Sequence, residues 1–304
     1  MEFFRKTNIN FQGNRRIAIT CSAIFILAGF ISLIVRGGPN YSIDFSGGTG
    51  ITLRFAGPVS EGEVRSVLNE IKLGDSEVKT IGGGGSHPDI LIRVKETAVE
   101  AGTVTLVENT IRKGIPDNTF EVLQIEKVGP KIGKELKGKA VWAMVVSLIG
   151  ILIYLAWRFE FKFAVGAVIA TAHDLFAMLA LFSLTNLEIS LGIVAAFLTI
   201  AGYSINDTVV VYDRIRENIK KLRSATFFDI INISINETLS RTILTGSTTL
   251  MVLIVLFFMG GQVIHDFAFA LLVGILIGTY SSIFIAAPIL LEWEARTGTK
   301  KKKL

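Results

Sequence analysis

Three ionisable side chains stand inside long apolar runs of this 304-residue chain: Asp174, Asp207 and Arg241. A charge held at the centre of a bilayer costs about 3 kcal/mol, so such residues need a reason to be there. Asp174 sits beside His173 midway along its run, which suits a proton relay or a ligand contact, or else a carboxyl that only bonds a neighbouring helix. Asp207 lies in Gly202-Tyr203-Ser204-Ile205-Asn206-Asp207-Thr208, six residues before Asp213. At 1.5 Å per residue that places it about 9 Å inside the end of its run. Ser204 and Tyr203 lie one turn back and Asn206 is adjacent, a concentration of polarity that should face protein or water rather than lipid.

Arg241 opens a later run. Alone it reads as a boundary anchor whose head reaches the interface. Thr238, Thr242, Thr245, Thr248 and Thr249 recur at helical spacing around it, a hydroxyl stripe suited to a wet helix contact. The runs holding Asp207 and Arg241 are consecutive, so a guanidinium–carboxylate pair between them is expected in at least one state. Hydrolytic and metal chemistry find little support. Ser204 and His173 are a weak pair for a serine protease. Asp174 and Asp207 lack a Gly-x-Gly-Asp setting, and His87, His173 and His265 are scattered. No nucleotide-binding or zinc-protease motif occurs, so neither an enzymatic site nor a bound cofactor is expected.

The elements that must position these groups follow from composition. Half of the residues are hydrophobic, 19% are charged, and mean hydropathy is +0.54. This profile belongs to an integral membrane protein and excludes disorder, collagen and disulfide-stapled modules. Cys21 is the lone cysteine, so a domain outside the membrane must fold by its core alone. A membrane-spanning helix needs roughly 20 apolar residues. Six runs qualify: 17–35, 140–157, 163–184, 187–212, 242–259 and 267–291. The first follows Arg15 and Arg16 but shows no small-x-small cleavage site, so it is expected to remain as a span.

Positive charge sets the orientation. With residues 1–16 in the cytoplasm, the cytoplasmic pieces 1–16, 158–162, 213–241 and 292–304 carry 4, 2, 6 and 5 Lys/Arg, whereas loops 185–190 and 260–266 carry none. Both termini then lie inside, with Lys300–Lys303 as a solvated basic tail at the lipid surface. The net charge of +5 therefore marks membrane orientation, and no nucleic-acid partner is expected. Residues 213–241, with Arg214, Arg216, Lys220, Lys221 and Arg223 ahead of Phe227, Phe228, Ile230, Ile231 and Ile233, suit an amphipathic helix lying in the interface. Gly274 and Gly278 in the sixth run permit close helix approach.

Residues 36–138 form one outside segment. It holds 13 basic and 14 acidic side chains. Strands are expected at 49–55, 77–81, 90–94 and 119–127, helices at 60–72 and 98–113, and a glycine turn at 82–85. That order, β-α-β-β-α-β, is the ferredoxin-like arrangement, so the fold class expected is a six-span helical membrane protein with an α+β ferredoxin-like domain between the first two spans.

The motifs also resemble the SecF family, the smaller membrane subunit of the SecDF protein-export complex in the resistance–nodulation–division superfamily. The resemblance rests on Asp44-Phe45-Ser46-Gly47-Gly48, Gly129-Pro130-Lys131-Ile132-Gly133, Ala172-His173-Asp174, Gly202 to Glu217, and Ser240-Arg241-Thr242, and it covers nearly the whole chain. It implies SecD as a partner whose six related spans complete a twelve-span unit. It also implies association with the SecYEG channel, with YajC in many bacteria, and with an emerging preprotein at the cytoplasmic (inner) membrane. The implied activity is assistance to late steps of translocation, driven by the proton-motive force. Asp207 and Arg241 are by this resemblance the proton-conducting residues, with Asp174 a further candidate. Two other readings stay open at this point. A small-solute exporter would need a closed substrate cavity between two halves. A passive scaffold would tolerate neutral substitution of Asp207 and Arg241 together.

Overall fold

The computed structural model describes residues 7–82, 87–95 and 102–297. Most of the glycine turn at 82–85, the start of the helix expected at 98–113, and the tail Lys300–Lys303 lie outside the described residues. Among the described residues, six helical stretches are long and apolar enough to cross a membrane. Helix α1 is Arg15–Val35. After a short helix α2, Ile43–Ser46, come β1 Gly48–Phe55, α3 Glu61–Asn69, β2 Glu77–Gly82, β3 Asp89–Lys95, α4 Thr103–Gly114 and β4 Phe120–Val128. The bundle resumes with α5 Pro130–Arg158, α6 Phe161–Thr185, α7 Leu191–Lys221, α8 Phe227–Met259, α9 Gly261–Ser281 and α10 Ala287–Thr297.

The α+β domain is a four-stranded sheet in the order β2-β3-β1-β4, with every neighbouring pair antiparallel. The alternation of β1 turns Ile51, Leu53 and Phe55 to one face, where they meet Ile90 and Ile92 of β3. Val64 and Leu68 of α3 and Val107 and Ile111 of α4 close that core. Ser60 begins α3 with a capping box: it accepts from the Glu63 backbone N–H, and the Glu63 carboxylate accepts from its own.

The bundle is built around α6, α7 and α9, whose faces are half-buried, whereas α1, α5 and α8 present mostly exposed apolar surface. Gly274 and Gly278 do bring α9 against α7. A side chain at Gly274 would overlap Ile200, and a Cβ at Gly278 would lie 3.1 Å from Ser204 Cβ. Between α9 and α10 the helix widens into a π-helical turn, Ser282–Ala286, two residues before Pro288, which cannot donate to the carbonyl of Phe284.

At two places the helices run beyond the expected spans. Helix α5 starts at Pro130, ten residues ahead of 140, because proline is well placed at the first helical position and Gly133 lets the helix pass under α2. A Cβ on Gly133 would lie 2.8 Å from the Phe45 carbonyl oxygen. Residues 213–241 are not a separate interfacial helix. They are the end of α7, the turn 222–226 and the start of α8. Ile230, Ile231 and Ile235 find protein instead of lipid, and the charges pair across the hairpin, with Arg214 Nε 2.6 Å from Glu237 Oε2. Asn218 Nδ2 donates to the same oxygen at 2.7 Å and to Ser234 Oγ at 3.0 Å.

Candidate proton-relay site in the helix bundle

Asp174 is the most completely enclosed acid of the bundle, with 0% exposure. Helix α6 carries it at mid-length, and the flanking residues Thr171, Ala170 and Ala177 are buried with it. Three groups bond its carboxylate. Ser204 Oγ from α7 donates to Oδ2 at 2.5 Å, Ser281 Oγ from α9 donates to Oδ2 at 2.8 Å, and His173 Nδ1 lies 3.0 Å from Oδ1. His173 Nε2 is in turn bonded to Ser22 Oγ of α1. Three helices thus meet at one carboxyl, and a hydroxyl–imidazole–carboxyl chain joins a fourth, α1, to it. The alternative hydrolytic pairing is not present: Ser204 bonds Asp174, not His173.

Asp207 lies three residues beyond Ser204 on the same face of α7, about 4.5 Å further along the axis. It is 3% exposed. Its Oδ2 is buried with no hydrogen-bond donor, while Thr279 of α9 is its hydrogen-bonding neighbour. A buried carboxylate oxygen without a donor carries the full cost of desolvation, so the site is open to a proton, a water or a cation. Arg241 is near enough to act on Asp207 electrostatically, yet among the described residues no carboxylate lies within ion-pair distance of its guanidinium. The Asp207–Arg241 pair expected from sequence is therefore not made in this state. Arg241 sits on an exposed part of α8.

The supporting residues divide. Ser204 serves Asp174. Tyr203 keeps a buried Oη without a partner. Asn206, a quarter-turn or so round α7 from Asp207, is exposed. Thr245 donates to the backbone of its own helix, to Arg241 O at 2.9 Å and Thr242 O at 3.1 Å, and Thr238, Thr248 and Thr249 do likewise. These four threonines are thus satisfied within their own helix, because a hydroxyl can reach the carbonyl one turn back. Sequence reasoning ranked Asp174 behind Asp207 and missed Ser22, Thr279 and Ser281. The signal for the last two was the hydroxyl run Thr279-Tyr280-Ser281-Ser282 inside an apolar span.

The motif Asp44-Phe45-Ser46-Gly47-Gly48 links this site to the domain. Gly47 and Gly48 have φ of 78° and 153°, and a side chain at Gly48 would overlap the Val94 carbonyl. This tight turn presents Asp44 to the start of α7, where Oδ2 accepts from the Leu191 N–H at 2.9 Å. Phe45 packs into the bundle core with Ile189, Ile193 and Phe197.

Residues 107–296 match the family described as protein export membrane protein SecD/SecF, C-terminal, and residues 31–59 match the SecD/SecF GG motif. The chain is 42% identical to the protein translocase subunit SecF of Thermodesulfovibrio yellowstonii, over 96% of each chain. It is 45% identical to the SecF of Desulfurispirillum indicum, over 95% of this chain and 92% of that one. Among solved structures it is similar to SecDF, a translocon-associated membrane protein from Thermus thermophilus, with a TM-score of 0.82 at 38% identity. That match covers 95% of this chain and 39% of the SecDF chain. On these grounds, with the glycine motif and the bundle placed as described, the chain belongs to the SecF family of protein-export membrane proteins.

Proposed function

We propose that this chain is an auxiliary subunit of the Sec preprotein translocase which, with SecD, couples the proton-motive force to late steps of export across the cytoplasmic membrane. The observation that carries the reading is Asp207: buried, short of a donor on one oxygen, and within electrostatic reach of an unpaired Arg241. Burial penalises the ionised carboxylate and the guanidinium favours it, so a small repacking decides its state. A proton arriving from outside neutralises Asp207 and removes its attraction for Arg241. Its release inside restores the attraction, and the helices repack each time. One charge crossing 100 mV supplies about 2.3 kcal/mol and one pH unit about 1.4 kcal/mol, enough to bias a two-state bundle. No cofactor besides the proton and no bond-breaking site enter this reading.

The exposed apolar faces of α1, α5 and α8 suit lipid and a second six-span half, which SecD would supply. The β-α-β-β-α-β order supports a ferredoxin-like domain, placed outside the membrane with both termini in the cytoplasm. Because Asp44 caps α7, a shift of that helix moves the domain, which acts with the larger outer domain of SecD on an emerging preprotein at SecYEG, where YajC also joins. The test is Asp207→Asn in inverted membrane vesicles. SecD should still co-purify while gradient-dependent export is lost. Normal gradient-driven export by that variant would overturn the proposal.

A further inference from the structure

A second cluster of charges lies well away from the bundle centre, at the joint where the sheet edge formed by β2 and β3 meets the bundle. Glu77 of β2 is held by two cations, with Oε1 2.9 Å from Lys79 Nζ and Oε2 3.3 Å from Arg93 Nη1. Lys79 also reaches Asp266 of α9 at 2.5 Å. Glu188, in the loop between α6 and α7, has Oε1 3.2 Å from Lys95 Nζ of β3. Its other oxygen, Oε2, is buried with no donor, and the carboxylate of Glu77 is a close neighbour of the Glu188 side chain. Two carboxyls that bond each other share one proton, so a bond between these two needs one proton taken up at the joint.

We propose that Glu77 and Glu188 form a proton-binding carboxyl pair that clasps the α+β domain to the bundle, closed with one proton bound and loosened with none. The joint is built to act as a clasp. The Lys95 ammonium also donates to Asn40 Oδ1 at 2.7 Å, and the Glu188 loop is stitched to the linker after α1 by Ile189 N to Asn40 O, 2.8 Å, and Ser42 N to Ile189 O, 3.1 Å. A cavity of about 100 Å³ beside it, lined by Glu77, Lys79, Arg93 and Asp266, has room for the water that would bring the proton. Burial and then the Glu77 carboxylate push Glu188 up to about 7, against the pull of Lys95. Burial also works against the charge on Glu77, but the hydrogen bond from Glu188 and the cations Lys79 and Arg93 outweigh it and hold Glu77 below the usual carboxylate range.

The sign follows from these two directions. Glu188 binds its proton more tightly when the joint is closed, so closure strengthens as pH falls from above 7 toward its ordinary 4.5. Glu77 binds its proton less tightly when closed, so its contribution is lost only at still lower pH. Among the described residues, the other charged or titratable groups bonded to the pair or to its partners are Lys79, Arg93 and Lys95 from the sheet, and Asp266 with the adjacent His265 from α9.

The clasp does not depend on what the bundle drives, and its test does not read export. The full chain in lipid nanodiscs, with Cys21→Ser, Asn109→Cys on α4 and Thr185→Cys at the end of α6, is spin-labelled and the inter-label distance measured between about pH 6 and about pH 8.5. A single narrow distance is expected at the low end and a broader, longer distribution at the high end, with the midpoint near 7. Glu188→Gln should stay narrow at both, and His265→Gln should keep the change. A distribution that does not move with pH in the parent protein, or a change that survives Glu188→Gln and vanishes with His265→Gln, overturns the proposal.

Discussion

The carboxylate of Asp44 caps the helix that carries Asp207: its Oδ2 accepts from the backbone N–H of Leu191 at 2.9 Å, across 147 residues of sequence. An acid at a helix N-terminus satisfies an orphan donor and opposes the positive end of the dipole. The same helix is also capped locally, since Ser190 Oγ accepts from Ile193 N at 3.3 Å. Two caps at one terminus, one of them from the domain linker, make α7 a mechanical link between the buried acids and the domain.

Removing the long-range cap should be felt as a modest loss of stability. Asp44→Ala is expected to cost about 1 kcal/mol, whereas Asp44→Asn, which keeps an acceptor oxygen, should cost less than half of that. Thermal unfolding of the two variants in the same detergent checks the order. Equal losses would mean that charge, not the hydrogen bond, is what Asp44 contributes.

The meeting of helices at Asp174 makes a second prediction. Ser281→Ala removes one donor from an acid with no exposure, and should cost about 1–3 kcal/mol. In an Asp174→Asn background the same change should cost much less, because the carboxyl that accepts the bond is gone. A double-mutant cycle on unfolding midpoints measures this coupling, and additive effects would show that Ser281 acts elsewhere.

Gly48 has no substitute. Its φ of 153° and the Val94 carbonyl beside it leave no space for a Cβ. Gly48→Ala should pull β1 from β3 at their first paired residues, Gly48 and Lys95, and so disturb the clasp as well. Hydrogen exchange across β1 should rise by at least tenfold, about 1.4 kcal/mol of local stability, while exchange in α6 stays unchanged. Unchanged exchange in β1 would show that the turn can relax.

A guanidinium near but not bonded to Asp207 also predicts a distinct outcome for charge-preserving change. Arg241→Lys keeps the charge and shortens the reach, so it should retain part of gradient-driven export, and Arg241→Met none. Export rates in vesicles with and without an imposed gradient separate the two. Full activity of Arg241→Met would remove this residue from the relay.

Much of this molecule was written in one dimension. Six apolar runs, the position of the domain between the first two, the strand and helix order within it, and the oddity of Asp174, Asp207 and Arg241 all follow from hydropathy and spacing, which are local properties. Helix ends were less legible. Polar residues at the start of α5 and the hairpin of α7 and α8 look like loops or interface until partners such as Phe45 and Glu237 are brought against them. What only the tertiary structure decided is which polar groups meet. Ser204 and Ser281 are 30 and 107 residues from Asp174, and Ser22 is 151 residues from His173, separations at which no spacing rule assigns a partner. Glu77 and Glu188 come from the domain and from a bundle loop. Hydrogen bonding and charge act over a few ångströms of space, so their partners are set by packing, and packing here is long-range in the chain.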